Sequence, residues 1–165
     1  MNEVSTVSTR MYALVVLYDL HTDYYHRVLD KIDDKDRHNR LNTKANHMAW
    51  LSGSLVQERF EMAALFGAKD QQKGHELFDN HKGIQDGATY PSLKSFIDDW
   101  DRISPVLRKK LTELRDDQLD KPFTMEGFTM SHFEMVSYMI YREANCIGQL
   151  ALWRRLLGYA PMNYM

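Results

Sequence analysis

SHFEMVSYMIYREANCIGQLALWRRLLGY, Ser131 to Tyr159, is the stretch on which the fold turns. Ser131-His132-Phe133-Glu134 reads as a capping box, in which the Ser and Glu side chains each satisfy a free donor at a helix start. Beyond it, Val136, Ile140, Ile147 and Leu150 recur at helical spacing, so one face of a long helix is apolar. Gly158 ends the pattern and Pro161 blocks its resumption. The stretch predicts one amphipathic helix running to about Leu157.

Three more helices follow from the same periodicity. Leu93, Phe96, Trp100, Ile103, Leu107, Leu111 and Leu114 give the stripe of a third helix opened by Pro91-Ser92. Pro105 lies inside it, removing one N–H and crowding the turn before, which predicts a kink or break near Ser104. Lys121-Pro122-Phe123 falls in the loop that follows. His47, Leu51, Leu55, Met62 and Leu65, with Glu58 on the same side, line a second helix from about Thr43 to Phe66. Asn42 or Thr43 is the expected cap, and Gly67 the stop. Val7, Met11, Leu14, Tyr18, His21, Tyr25, Val28 and Ile32 define a first helix over roughly residues 6–33. Between Ala68 and Pro91 the texture changes to Gly and polar residues, with a short helix expected around His75 to Asn80. A connection of that length marks a site edge or a mobile segment. The expectation is an all-α chain: one domain over residues 1–165, a four-helix bundle with a long crossover between helices 2 and 3.

Composition narrows the function classes. The 165 residues carry 21 basic and 23 acidic side chains, a net charge of −2. No basic stripe points to nucleic acid; Arg108-Lys109-Lys110 is the longest basic run and reads as a solvated helix face. No apolar run approaches the length of a membrane span. The start, MNEVSTVSTR, lacks the basic-then-apolar pattern of a secretory leader. One cysteine, Cys146, allows neither an intrachain disulfide nor a cysteine-built zinc site, and suits a reducing compartment. The expectation is cytoplasmic, with no nucleic-acid or membrane partner. Gly-rich phosphate loops, G-x-S-x-G and H-E-x-x-H are absent from the sequence. So is the Glu-x-x-His of di-iron bundles.

The end of the last helix resembles the DinB-like superfamily of four-helix bundles. In many members that helix carries His-x-x-x-His, then Gly-Gln, and ends in Arg-Arg-x-x-Gly. Gly148-Gln149, Arg154-Arg155 and Gly158 stand at those places here. A third family ligand, a His early in the second helix, matches His47 in Asn46-His47-Met48-Ala49-Trp50. The element order, the break before Pro91 and the Ser131 helix start extend the resemblance over nearly the whole chain. It implies a divalent metal (zinc or nickel) on three histidines, thiol-linked transferase or isomerase chemistry with cofactors such as bacillithiol or mycothiol, and a homodimer.

The resemblance places Arg142 and Cys146 where the paired histidines belong, so the triad positions are His47, Arg142 and Cys146. Arginine stays protonated and offers no lone pair, and its charge opposes a dication. His47 and Cys146 remain as metal candidates, too few alone for zinc; Glu143 or Glu58 adds an oxygen only with suitable helix rotation. The leading expectation is a degenerate metal site: a polar cleft around His47, Arg142, Cys146 and Glu58 that binds a small anion through the planar guanidinium. The alternative is a metal- or thiol-dependent transferase or hydrolase, with Cys146, Arg142 and Glu58 as catalytic candidates. A second alternative is a non-catalytic stress-response interaction module. Cys146 itself reads most simply as a partly buried small hydrophobe.

Overall fold

The computed structural model describes residues 4–125 and 127–165. It is mostly helical, with four long helices: α1 (Tyr12–Leu29), α2 (Met48–Leu65), α3 (Leu93–Glu113) and α5 (His132–Leu156). A one-turn α4 (Asp116–Leu119) and a two-stranded hairpin lie between α3 and α5. α1 packs on α3 and α5, and α2 packs on the same two. α1 and α5 run the same way: Arg10 stacks 4.3 Å over Phe133 at one end, and Arg154 donates to the Val28 carbonyl at the other. α2 and α5 run oppositely, with Trp153 Nε1 donating to the Asn46 carbonyl at 2.8 Å and Phe66 edge-on to His132 at the far end.

The apolar stripes find their places. All seven expected core positions of α3 are buried, as are Val136, Ile140, Ile147 and Leu150 of α5. The Ser131 capping box forms, with the Ser131 and Glu134 side chains each accepting from the other's backbone N–H. Gly67 and Gly158 end α2 and α5 at φ +87° and +86°.

The structure departs from these expectations at five places. The first helix is shorter than residues 6–33: a 3-10 turn (Thr9–Met11) precedes it, and Val7 is exposed. It stops before Asp30, after which Lys31 turns left-handed at φ +57°. The second helix begins at Met48, not Thr43, because Leu41 and Asn42 are both left-handed at φ +47° and +59°. Its cap is His47, whose Nδ1 accepts from the Trp50 N–H at 3.1 Å. α3 runs unbroken through Pro105. The helix axis is held there from the buried side: Ser104 Oγ donates to the Trp100 carbonyl at 2.5 Å, and Tyr18 OH donates to the Ser104 carbonyl at 2.9 Å.

The fourth difference is the segment around Pro122. It is a hairpin, not a loop: β1 (Pro122–Met125) pairs antiparallel with β2 (Phe128–Ser131), Phe123 facing Met130 and Thr124 facing Thr129. The crossover between α2 and α3 holds two 3-10 turns, His75–Leu77 and Asp79–His81, in place of a short α-helix. It is fastened by Phe78 and Tyr90, both buried, and by Gln72, which donates to the Gly53 carbonyl at 3.1 Å. Gly53 is what admits Phe78: a Cβ there would stand 2.6 Å from Phe96 Cζ and closer still to Phe78.

Candidate functional site

α2 and α5 face each other with two adjacent pairs of opposite polarity. Arg59 of α2 meets Glu143 of α5, and Glu58 of α2 meets Arg142 of α5.

The first pair is wholly buried. Arg59 Nε and Nη2 donate to the two Glu143 oxygens at 2.6 and 3.0 Å. Its Nη1 donates to Thr22 Oγ1 and Ser104 Oγ at 2.8 and 2.7 Å. The guanidinium lies between two rings, 3.4 Å from Trp100 and 3.9 Å from Tyr18. His21 Nδ1 completes the carboxylate's shell at 3.2 Å. Burial alone would raise the Glu143 carboxyl, but Arg59 and His21 outweigh it and hold it below the ordinary range. With its donors and acceptors so matched, the cluster is a closed structural element.

The second pair is open to water. The Arg142 side chain is 25 % exposed and that of Glu58 16 %. Arg142 Nη1 donates to Glu58 Oε2 at 2.8 Å, and Nη2 donates to Ser54 Oγ. Glu58 thus receives one guanidinium N–H where Glu143 receives two. Burial, only partly offset by Arg142, pushes the Glu58 carboxyl up to about 7. Cys146, one turn on from Arg142, is buried. Burial raises its thiol and Arg142 lowers it less, leaving it above the usual thiol range and mainly protonated at neutral pH.

His47 lies apart from this group. It is seven residues before Ser54 on α2, roughly 10 Å along the axis at 1.5 Å per residue. Its ring neighbours are His38 at 4.9 Å and Tyr90 at 5.1 Å between centroids. Burial, then His38, lowers its pKa to about 4, so the ring is neutral. Because Nδ1 accepts from Trp50, the neutral ring carries its proton on Nε2. Neither nitrogen then has a lone pair to offer a metal. Among the described residues, no three His, Cys, Asp or Glu side chains converge to hold an ion. The residues present therefore do not fit zinc or nickel.

Of the residues singled out from sequence, the fold brings together Arg142, Glu58 and Cys146 and assigns His47 to helix capping. Arg59 and Glu143 were missed as a central pair. Their signal was legible: Glu143 sits inside the 4-3-4-3 spacing of Val136, Ile140, Ile147 and Leu150, and Arg59 follows Leu55 by one turn. No helix of the described residues is long and apolar enough to cross a membrane. Compared with models of known protein families and with the curated proteins, the chain matches none.

Proposed function

We propose that the chain is a DinB-like four-helix bundle in which the family's metal site has become a small-anion cleft centred on Arg142. The family reading rests on Gly148-Gln149, Arg154-Arg155 and Gly158 at the end of α5, on His47 at the start of α2 and on the long crossover before α3. One observation carries the function: a partly exposed guanidinium is paired with a carboxyl that titrates near neutrality. Below pH 7 Glu58 is increasingly protonated and Arg142 loses its counter-charge. An incoming carboxylate or oxyanion then takes the place of Glu58 and gains two parallel N–H donors.

Sulfate is a suitable probe because its charge is constant between pH 6 and 8. Followed by the Arg142 side-chain NMR signal, its affinity is expected to rise at least threefold from pH 8 to pH 6. Arg142→Gln is expected to abolish binding. Undiminished sulfate binding by that variant sinks the proposal.

A second reading is favoured by the same carboxyl: a group titrating near 7 is poised for general acid–base catalysis. It requires turnover of some substrate that Glu58→Gln removes. For quaternary structure, the exposed apolar side chains Leu17 and Leu20 on α1 and Tyr141 and Leu152 on α5 support a homodimer. Leu17→Lys with Leu152→Lys is expected to leave a monomer in sedimentation.

A further inference from the structure

α2 and α3 end side by side, joined where Lys110 Nζ donates to the Phe66 carbonyl at 2.6 Å. Between those ends and the base of the hairpin is a cavity of about 320 Å³, at the lower end of the range for small-molecule sites. It is separate from the Arg142 cleft: His132, on its wall, precedes Arg142 by ten residues of α5, roughly 15 Å along the axis. The apolar part of the lining is Leu65, Phe66 and Leu114, and the polar part is dominated by donors.

Three of those donors are held in place with hydrogens to spare. The Lys110 ammonium gives one N–H to the Phe66 carbonyl and keeps two. Gln118 Oε1 accepts from the Arg115 N–H at 3.1 Å, so its amide presents NH₂ as the unspent end. His132 N–H donates to the Lys121 carbonyl at 2.9 Å, which fixes the two residues against each other across the neck of the hairpin. The His132 ring stands edge-on to Phe66 at 5.7 Å. Lys121 is exposed, and Lys110, Gln118 and His132 are half-buried, so these groups have solvent access.

The acids of this region are already matched. Asp116 accepts from Ser8, Asp117 from Arg115 and Asp120 from Arg10. Glu113, the one carboxylate on the cavity wall, is largely exposed and lies 4.0 Å from Lys109. Among the described residues, neither Lys110 nor Lys121 has a carboxylate within 4.0 Å. Two ammonium groups beside an apolar surface are left without counter-charge.

We infer that this cavity binds a phosphate monoester of a small apolar alcohol, its phosphate between Lys110, Lys121 and the Gln118 amide and its apolar body against Leu65, Phe66 and Leu114. Separate ammonium groups act as point charges, which suit a tetrahedral dianion; the planar fork that favours a carboxylate is an arginine property, and this cavity has no arginine in its wall.

Phenyl phosphate is the probe, with inorganic phosphate, benzoate and benzyl alcohol as partial matches. Titrated into isotopically labelled protein at pH 7.5 and low salt, it is expected to give saturable amide shifts at Leu114, Gln118, Lys121 and His132, with a dissociation constant of about 1 mM, usual for so small a ligand. Inorganic phosphate and benzoate are expected to bind at least threefold more weakly, and benzyl alcohol at least tenfold. Lys121→Gln, at an exposed side chain, is expected to weaken phenyl phosphate at least threefold, and Glu113→Gln to tighten it about twofold by removing the opposing charge. Arg142→Gln is expected to leave these shifts unchanged, which separates this site from the cleft. Absence of shifts at these residues, a partial match binding as well as phenyl phosphate, loss of the shifts in Arg142→Gln, or unaltered affinity in both Lys121→Gln and Glu113→Gln overturns the proposal.

Discussion

Glu58–Arg142 and Arg59–Glu143 join the same two helices, use neighbouring positions and differ in outcome. In the buried pair the carboxylate takes two guanidinium N–H donors and faces a histidine, and its pKa falls. In the half-buried pair the carboxylate takes one, the second guanidinium nitrogen goes to Ser54, and the pKa rises to about 7. Depth of burial therefore does not rank the two carboxyls. The number of donors that meet each desolvated oxygen does. A pair so complete as the first rigidifies; one left short of donors is available to other ligands.

The largest test of this contrast is removal of each arginine. Arg59→Met strands a buried carboxylate and is expected to cost about 3–5 kcal/mol of unfolding free energy. Arg142→Met leaves Glu58 able to protonate or reach water, and about 1 kcal/mol or less is expected. Urea denaturation of both variants measures the gap, and equal losses would break the comparison.

Next in size is the pH dependence. Between pH 4.5 and 7 native Glu58 holds a proton that the unfolded chain has released, so this group makes stability fall as pH rises. The full cost, about 3 kcal/mol for a shift of this size, is present above pH 7. Glu58→Gln is expected to flatten that decline. Glu143 has the opposite sign: its lowered carboxyl contributes stability at neutral pH that is lost as the medium is acidified. Carbon-detected titration of the two side chains tests both directions at once.

His47 sharpens the comparison, being a buried polar group on α2 with no ion partner. Its folded pKa of about 4 lies below the usual histidine value. Its contribution is therefore complete above pH 6.5 and lost as pH falls from there through 4. His47→Ala is expected to cost about 1 kcal/mol through the missing cap, and His47→Asn to restore most of it. The smallest effect belongs to Cys146. Its thiol is expected to alkylate slowly at pH 7.5, and a few-fold more slowly in Arg142→Gln, because the guanidinium is what draws the thiol downward.

Much of this was open to reading in the chain. The helical stripes, the Ser131–Glu134 box and the glycine stops at 67 and 158 rest on local rules of spacing and capping, and local rules survive folding. The hairpin was less visible, although Phe123-Thr124-Met125 and Phe128-Thr129-Met130 repeat across Glu126-Gly127; four residues are too short for a period to declare itself. The start of α2 was misplaced because a histidine cap is outside the usual Ser, Thr, Asp and Asn set. In the candidate site, Arg142 and Glu58 carried their chemistry in their identities. Which carboxyl would titrate near neutrality depends on how many N–H groups reach it across helices 84 residues apart in sequence, and no local pattern encodes that count.

Gly53 bears on a different property. The crossover between α2 and α3 is moored by Phe78 over Gly53, by Tyr90, by Gln72 on the Gly53 carbonyl and the Gln57 side chain, by the Lys73 N–H on Asp99 at 2.7 Å, by Arg102 on Asp70 and the Gln71 carbonyl, and by Arg40 on Asp86. Two of those moorings converge on one residue without a side chain. The free energy of opening the crossover locally thus depends in part on Gly53. A methyl group there would displace the Phe78 ring and press on Phe96 of α3, loosening both the segment and the α2–α3 contact beneath it. The first backbone to exchange its amide hydrogens, and the first to be cut by a protease, would then be the stretch from Ala68 to Tyr90.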